Sequence, residues 1–118
     1  MYSPQLLDHF QNPRNVGELR APAVTVQVSN PACGDEMRLA ALFENQTVRQ
    51  ARYKVRGCAA SIAAGSALTE WLVGKTRGEL AGFRCAAIED ALGGLAPESL
   101  HAAALCADAV KALLASAL

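Results

Sequence analysis

The chain has 118 residues, of which 52% are hydrophobic, and its eleven basic and eleven acidic side chains cancel to a formal net charge of +0. A chain of this length and composition predicts one domain, residues 1–118, with a core that needs no disulfide to fold. The balanced charge excludes the basic surface by which proteins bind nucleic acid, so no nucleic-acid partner is expected.

The first half of the chain has the pattern of one helix followed by strands. Ser3-Pro4 places a hydroxyl N-cap before a proline at the first helical position, and this helix should end near Asn12-Pro13. Leu6, Leu7 and Phe10 form its predicted apolar face. The alternation of apolar and polar residues over 24–28 predicts a first strand, and two further strands are predicted over residues 37–43 and 48–55, joined by a hairpin turn at residues 44–46.

The second half of the chain is helical by pattern. An alanine-rich helix is predicted from Ala59 to Val73, and a last helix from Pro97 nearly to Leu118. Two shorter helices, over residues 77–83 and 86–92, lie between them. Because sequential strands precede the helices, we predict an α+β domain in which helices pack on one face of a three-stranded antiparallel meander sheet.

Four cysteines, Cys33, Cys58, Cys85 and Cys106, are widely spaced along the chain. No export signal precedes them, and no apolar stretch approaches the ~20 residues that span a bilayer, so we expect a cytoplasmic protein without membrane contact. Cytosolic thiols stay reduced, which leaves metal binding, sulfur chemistry or burial as their uses. Cys85 has no ligand-type neighbour and is interpreted as structural.

The segment Asn30–Met37, NPACGDEM, places a thiol and a carboxylate two residues apart after the first strand. In an extended or turning backbone Cys33 and Asp35 point to the same side, while Gly34 lets the chain pass close to a bound group. The pair therefore predicts half a metal site. The alternative is that Asp35 caps the turn while Cys33 is a small buried hydrophobic residue.

Cys58 and His101 are two further ligand candidates, each near a predicted helix start. A cysteine at a helix N-terminus is favoured as the thiolate, which binds metal, although a packed cysteine is the alternative. His101 offers the nitrogen that zinc and iron commonly bind, although a histidine there can also be a surface or capping group. With Cys33 and Asp35 these residues form a set acceptable to zinc, or to iron bound with sulfide.

The other candidates are interpreted as non-functional. Cys106 lies five residues after His101, about 140° further round the helix, so the two do not share a face and Cys106 is assigned to the core. His9 is expected on the surface. No phosphate-binding loop, nucleotide fingerprint or Ser-His-Asp order occurs, so phosphoryl transfer and serine hydrolysis have no support.

Four segments together resemble the IscU/NifU N-terminal type of iron–sulfur cluster assembly scaffold. The resemblance covers nearly the whole chain, and the joint order of DH…NPRN, ACGD and GC…S…TEW…GK is highly specific. The segments are YSPQLLDHFQNPRNVG (2–17), PACGDEMRL (31–39), ARYKVRGCAASIAAGSALTEWLVGK (51–75) and LHAAALCADAVKA (100–112).

The resemblance implies the SufE/NifU fold and a scaffold that is not an enzyme. Such a protein receives sulfur from a cysteine desulfurase, holds a labile [2Fe–2S] cluster and passes it to apo iron–sulfur acceptor proteins. The cluster ligands it implies carry over onto Cys33, Asp35, Cys58 and His101. An aspartate among thiolate ligands would make the cluster easier to release.

The sequence departs from the family pattern at two places. Ala102 stands where the family has a third ligand cysteine, and Cys106, about 6 Å further along the helix axis, could replace it only if the helix start were shifted. Residues 95–99, LAPES, lack a proline and the lysine of the segment that a dedicated chaperone reads, which argues against that chaperone as a partner.

Two alternative functions remain open. The first is a related protein that binds zinc or a single iron at the same four residues and acts as a metallochaperone or sulfur acceptor. Zinc competes strongly with ferrous iron for such ligands. The second is a family member that binds partners and no metal.

Overall fold

The computed structural model describes residues 2–31 and 34–116, so the predicted ligand Cys33 lies outside the described residues. An N-terminal helix is followed by a three-stranded sheet and then by helices, which confirms the predicted α+β class. The elements are α1 Pro4–Gln11, β1 Val24–Ser29, β2 Glu36–Glu44, β3 Thr47–Arg56, α2 Ala59–Leu72, α3 Arg77–Ala81, α4 Cys85–Ala91 and α5 Leu100–Ser116, with a 3₁₀ turn at Pro97–Ser99.

The sheet is an antiparallel meander in the order β1-β2-β3. The two-residue turn between β2 and β3 consists of Asn45 and Gln46, with φ of 52° and 67°. Two positive φ values match the twist that tight antiparallel hairpins require, so this turn sets the β2–β3 register. The prediction of a hairpin turn at residues 44–46 is confirmed.

One face of the sheet carries the core. Val26, Leu39 and Tyr53 are register partners across the three strands, and all three are buried. Their chain neighbours Gln27, Arg38 and Lys54 are also partners, and these side chains are exposed. Because successive side chains of a strand point to opposite faces, α2, which packs on β3, and α5, which packs on β1 and β2, cover the apolar face.

Helix α2 lies very close to β3. A Cβ atom added at Gly65 would lie 2.3 Å from the ring of Tyr53, so only glycine permits this approach. The Tyr53 hydroxyl donates a hydrogen bond of 2.7 Å to the carbonyl oxygen of Ile62. These two contacts fix the height of α2 above the sheet, and with it the position of the helix N-terminus.

Helix α1 packs on α2 through a face that differs from the predicted one. Ser3 caps the helix as expected, but the buried residues are Leu6 and His9, whereas Leu7 and Phe10 are each 38% exposed. The expectation of a surface His9 is wrong, because its Nδ1 lies 2.7 Å from the buried Ser66 hydroxyl of α2. That polar partner allows the imidazole to be buried.

Helix α5 packs on strands β1 and β2 and on helices α2, α3 and α4. By length and composition, Pro97–Ser116 is apolar enough to cross a membrane, which contradicts the expectation that no stretch approaches this length. In this fold its apolar face lies in the core, so its composition is that of a buried helix. The buried residues are Ala102, Ala103, Leu105, Cys106, Ala109, Val110 and Leu113.

Candidate metal centre

Cys58 is placed at the start of α2 by the end of strand β3. It is the N-cap residue, with φ −76° and ψ 168°, and its side chain makes no capping hydrogen bond. The thiol is therefore not used to cap the helix. The residue is partly buried, and its sulfur lies at the start of α2.

Asp35 is brought to the same place by a tight turn before β2. The Gly34 amide donates to the Asn30 carbonyl at 2.7 Å and the Asn30 amide donates to the Asp35 carbonyl at 2.8 Å, with Gly34 at a φ of 78°. Glycine adopts this left-handed conformation without a steric cost. These hydrogen bonds direct the Asp35 carboxylate towards the start of α2. Only 6% of the surface of Asp35 is exposed.

The Asp35 carboxylate is held as an anion by its neighbours. Burial raises its pKa, but hydrogen bonds from the Ser61 hydroxyl and from the Cys58 thiol and amide outweigh burial, so the pKa lies below its ordinary value. The Ser61 hydroxyl donates to Oδ2 at 2.6 Å. A charged carboxylate binds a cation, whereas a protonated one would not.

His101 completes the group from the first turn of α5. Its Nε2 lies 3.3 Å from Asp35 Oδ2 and 3.4 Å from Cys58 Sγ, and Cys58 Sγ lies 3.3 Å from the same Asp35 oxygen. One nitrogen, one sulfur and one oxygen thus form a nearly equilateral triangle. They come from three elements that are distant in the sequence.

The size of this triangle fits a tetrahedral metal. Zinc bonds of about 2.0–2.2 Å to nitrogen and oxygen and about 2.3 Å to sulfur place neighbouring ligand atoms roughly 3.3–3.6 Å apart. The N···O separation of 3.3 Å lies within that range, and the two sulfur edges of 3.3 and 3.4 Å are a few tenths of an ångström shorter than a bound ion would set them. Asp35, Cys58 and His101 therefore form one face of a tetrahedron suited to zinc or to the iron of a cluster.

Gly57 makes room for the carboxylate. A Cβ atom at this position would lie 2.5 Å from Asp35 Cγ and 2.7 Å from Oδ1, closer than any normal contact. Gly57 has no left-handed φ, so the requirement here is space and not backbone conformation. The glycine before Cys58 is therefore part of the site.

The structure brings together three of the candidate ligands, and places two other cysteines elsewhere. Within residues 2–31 and 34–116, the group whose side chains could hold a metal ion consists of Asp35, Cys58 and His101. Cys106 is completely buried in the core, where burial and the nearby Cys85 raise the pKa of its thiol. Cys85 is partly buried, and its sulfur lies 3.6 Å from the Ala103 carbonyl. Ala102, the residue after His101, is completely buried.

Two residues of this site are absent from the predictions made from sequence. Ser61 is a polar residue in the otherwise apolar first turn of α2, three positions after Cys58, and this spacing puts it on the same helix face. That spacing is the signal that could have found it. Gly57 gives no such signal, because its role depends on Asp35, which is distant in the sequence.

Comparison with known proteins gives matches that extend over nearly the whole chain. Residues 1–116 match the family model described as NifU-like N terminal domain. The iron–sulfur cluster assembly scaffold protein IscU of Azotobacter vinelandii is 42% identical over 115 residues, which cover 94% of this chain and 89% of that protein. IscU of Escherichia coli strain K12 is 37% identical over 118 residues, covering 97% and 91%.

A solved structure supports the fold. The crystal structure of FiSufU from the thermophile Fervidobacterium islandicum AW-1 superposes with a TM-score of 0.78 and covers 96% of each chain. The two sequences are 22% identical, so this likeness concerns the fold alone. It agrees with the α+β architecture described above.

Proposed function

Because the chain belongs to the NifU-like N-terminal domain family, we propose that it is an iron–sulfur cluster assembly scaffold. It accepts iron and sulfur, holds a labile [2Fe–2S] cluster and passes the cluster to acceptor proteins. The observation that carries the proposal is the triangle of Asp35 Oδ2, Cys58 Sγ and His101 Nε2, with sides of 3.3 to 3.4 Å. The scaffold function of the IscU relatives supports it.

The ligand chemistry suits a cargo that must be released. A thiolate from Cys58 binds iron strongly, whereas a carboxylate oxygen from Asp35 is a harder and weaker ligand for a cluster. The side chain of His101 is 23% exposed and that of Asp35 is 8% exposed, so the triangle is sheltered on the Asp35 side and open to solvent at His101. A cluster held there can be reached by an acceptor.

The sources and destinations of the cargo are part of the proposal. A cysteine desulfurase supplies sulfur, and apo iron–sulfur proteins receive the cluster. Cys33, two residues before Asp35 in the sequence, stays a predicted fourth ligand. A cytoplasmic location is also proposed, and the free thiols of Cys58, Cys85 and Cys106 support it. The protein carries its cargo without catalytic turnover.

Zinc or single-iron binding is the second candidate function. The triangle offers nitrogen, sulfur and oxygen at the separation that tetrahedral zinc requires, and zinc competes well for such ligands. In that case the protein would act as a metallochaperone or as a sulfur acceptor. It would bind one ion per chain and no sulfide.

Anaerobic reconstitution separates the two functions. The protein is incubated with ferrous iron, cysteine, a cysteine desulfurase and dithiothreitol, which reduces the delivered sulfur to sulfide, and visible absorption, iron and acid-labile sulfide are measured. We expect a charge-transfer band that is lost in Cys33→Ala and Cys58→Ala. Cys85→Ala, which alters a partly buried thiol outside the triangle, is the matched control and should keep the band. Stoichiometric zinc with no band and no sulfide would reject the scaffold function in favour of zinc binding.

A further inference from the structure

Ser61 is a buried hydroxyl that faces the candidate metal centre. The residue is completely buried in the first turn of α2, and its hydroxyl donates a 2.6 Å hydrogen bond to Asp35 Oδ2. Its Oγ also lies 3.6 Å from Cys58 Sγ. The side chain thus touches two members of the triangle from the side of the helix.

The other buried hydroxyls of α2 have a different role. Ser66 Oγ lies 2.7 Å from His9 Nδ1 and accepts the Arg14 amide at 2.9 Å, so it connects α2 with α1 and the segment that follows α1. Thr69 accepts a hydrogen bond from the Asn15 side chain. These hydroxyls join elements of the fold, whereas the partner of Ser61 is a carboxylate oxygen of the metal centre.

The choice of oxygen matters for the chemistry. A carboxylate has two oxygens, and Ser61 donates to Oδ2, the same atom that lies 3.3 Å from both Cys58 Sγ and His101 Nε2. A hydrogen bond on one side of Oδ2 fixes the rotation of the carboxylate. It leaves another lone pair of that oxygen for the centre of the triangle.

We infer that Ser61 is a positioning residue for the metal ion or cluster, acting through Asp35 by holding Oδ2 at the ligand position. The inference rests on the proposed function, because it assumes that the triangle binds metal. Groups that orient a ligand in this way typically change metal affinity by about 10- to 100-fold when they are removed. Without the hydroxyl, Asp35 can turn Oδ2 away from Cys58 and His101.

The test uses Co²⁺ and Zn²⁺ as probes on the full chain. Affinity is measured by competition with a chromophoric chelator, and the ligand-field bands of bound Co²⁺ report the geometry. Ser61→Ala is expected to bind about 10- to 100-fold more weakly, with altered Co²⁺ bands. Ser66→Ala, which alters an equally buried serine of the same helix, should bind like the wild type.

A double-mutant cycle with Asp35 shows whether Ser61 acts through that residue. In an Asp35→Ala background, Ser61→Ala should cause no further loss of affinity. An additional loss there, or wild-type affinity in Ser61→Ala, would overturn the inference. If Ser61→Ala does not fold, Ser61→Cys, which has nearly the same shape but a weak S–H donor, replaces it and should also bind Co²⁺ more weakly than the wild type; wild-type affinity in that variant would overturn the inference. A wild-type protein that binds neither ion and builds no cluster would instead refute the proposed function.

Discussion

Gly57→Ala is expected to disable the metal centre while leaving all three ligand side chains in the sequence. The new Cβ would lie 2.5 Å from Asp35 Cγ, 2.7 Å from Oδ1 and 2.9 Å from Oδ2. Carbon atoms pack at about 3.5–4.0 Å, so the carboxylate must move by roughly 1 Å. A shift of that size exceeds the few tenths of an ångström within which the triangle matches a tetrahedral ion.

Two quantities follow from this displacement. Overpacking a tight site costs about 1–3 kcal/mol of folding stability, and the moved carboxylate also loses the geometry of its hydrogen bond from Ser61. Co²⁺ affinity should fall by about 100-fold, the upper end of what loss of an orienting contact produces. Thermal unfolding measures the first quantity, and chelator competition measures the second.

The controls isolate the clash with the carboxylate. Gly78→Ala is the matched substitution, because its Cβ would meet only Thr76 Oγ1 at 3.9 Å in exposed helix α3. It should stabilise the fold by about 0.5–1 kcal/mol and leave Co²⁺ binding unchanged. In an Asp35→Ala background, Gly57→Ala should cost little stability, since the clashing atoms are gone. Wild-type Co²⁺ affinity in Gly57→Ala would refute the reasoning.

Three further predictions concern the packing of α2 on the sheet, the α1–α2 contact and the accessibility of two cysteines. Gly65→Ala should lower the free energy of unfolding in urea by about 3 kcal/mol, because its Cβ would lie 2.3 Å from the Tyr53 ring; an unchanged midpoint would contradict this packing. Burial, then Arg14, lowers the pKa of His9 below 6.5, so the folded state favours the neutral ring. The neutral His9 ring therefore stabilises the folded state above pH 6.5, and this contribution declines as the pH falls below 6.5. If the wild type loses no more free energy of unfolding than His9→Gln between pH 7.5 and 5.5, this prediction is wrong. Iodoacetamide at pH 8 should modify Cys58 and spare Cys106 in the folded protein, as mass spectrometry of tryptic peptides would show; equal labelling would place Cys106 outside the core.

The strands and most helices could be predicted because their signals are local. The alternation over residues 24–28 corresponds to β1 at Val24–Ser29, and the segment 48–55 corresponds to β3 at Thr47–Arg56. The last helix is a partial exception. Pro97–Ser99 forms a 3₁₀ turn, and the α-helix begins only at Leu100. Period and turn chemistry give the element and its approximate bounds, but not the geometry of its first turn.

Contacts between distant segments were beyond the reach of local patterns. No carboxylate or thiol pattern follows His9 in the sequence, and its burial depends on Ser66, which lies 57 residues further on. The same limit applies to Gly57, whose neighbours give no reason for a glycine until Asp35 is placed beside it. Residue type and spacing identify Asp35, Cys58 and His101 as candidates, but their convergence depends on how three separate elements pack.

The arrangement of the centre explains how a buried carboxylate is stabilised there. Cys58 is the N-cap residue of α2, so the N-terminus of α2, with its partial positive charge, approaches the Asp35 carboxylate, and the His101 side chain reaches it from the first turn of α5. Ser61 and the Cys58 amide and thiol donate to Asp35 Oδ2. These donors hold Oδ2 at 3.3 Å from both Cys58 Sγ and His101 Nε2, so the protein itself fixes the oxygen that faces the other two ligand atoms. The positions of the three ligand atoms are therefore set by the fold and its hydrogen bonds.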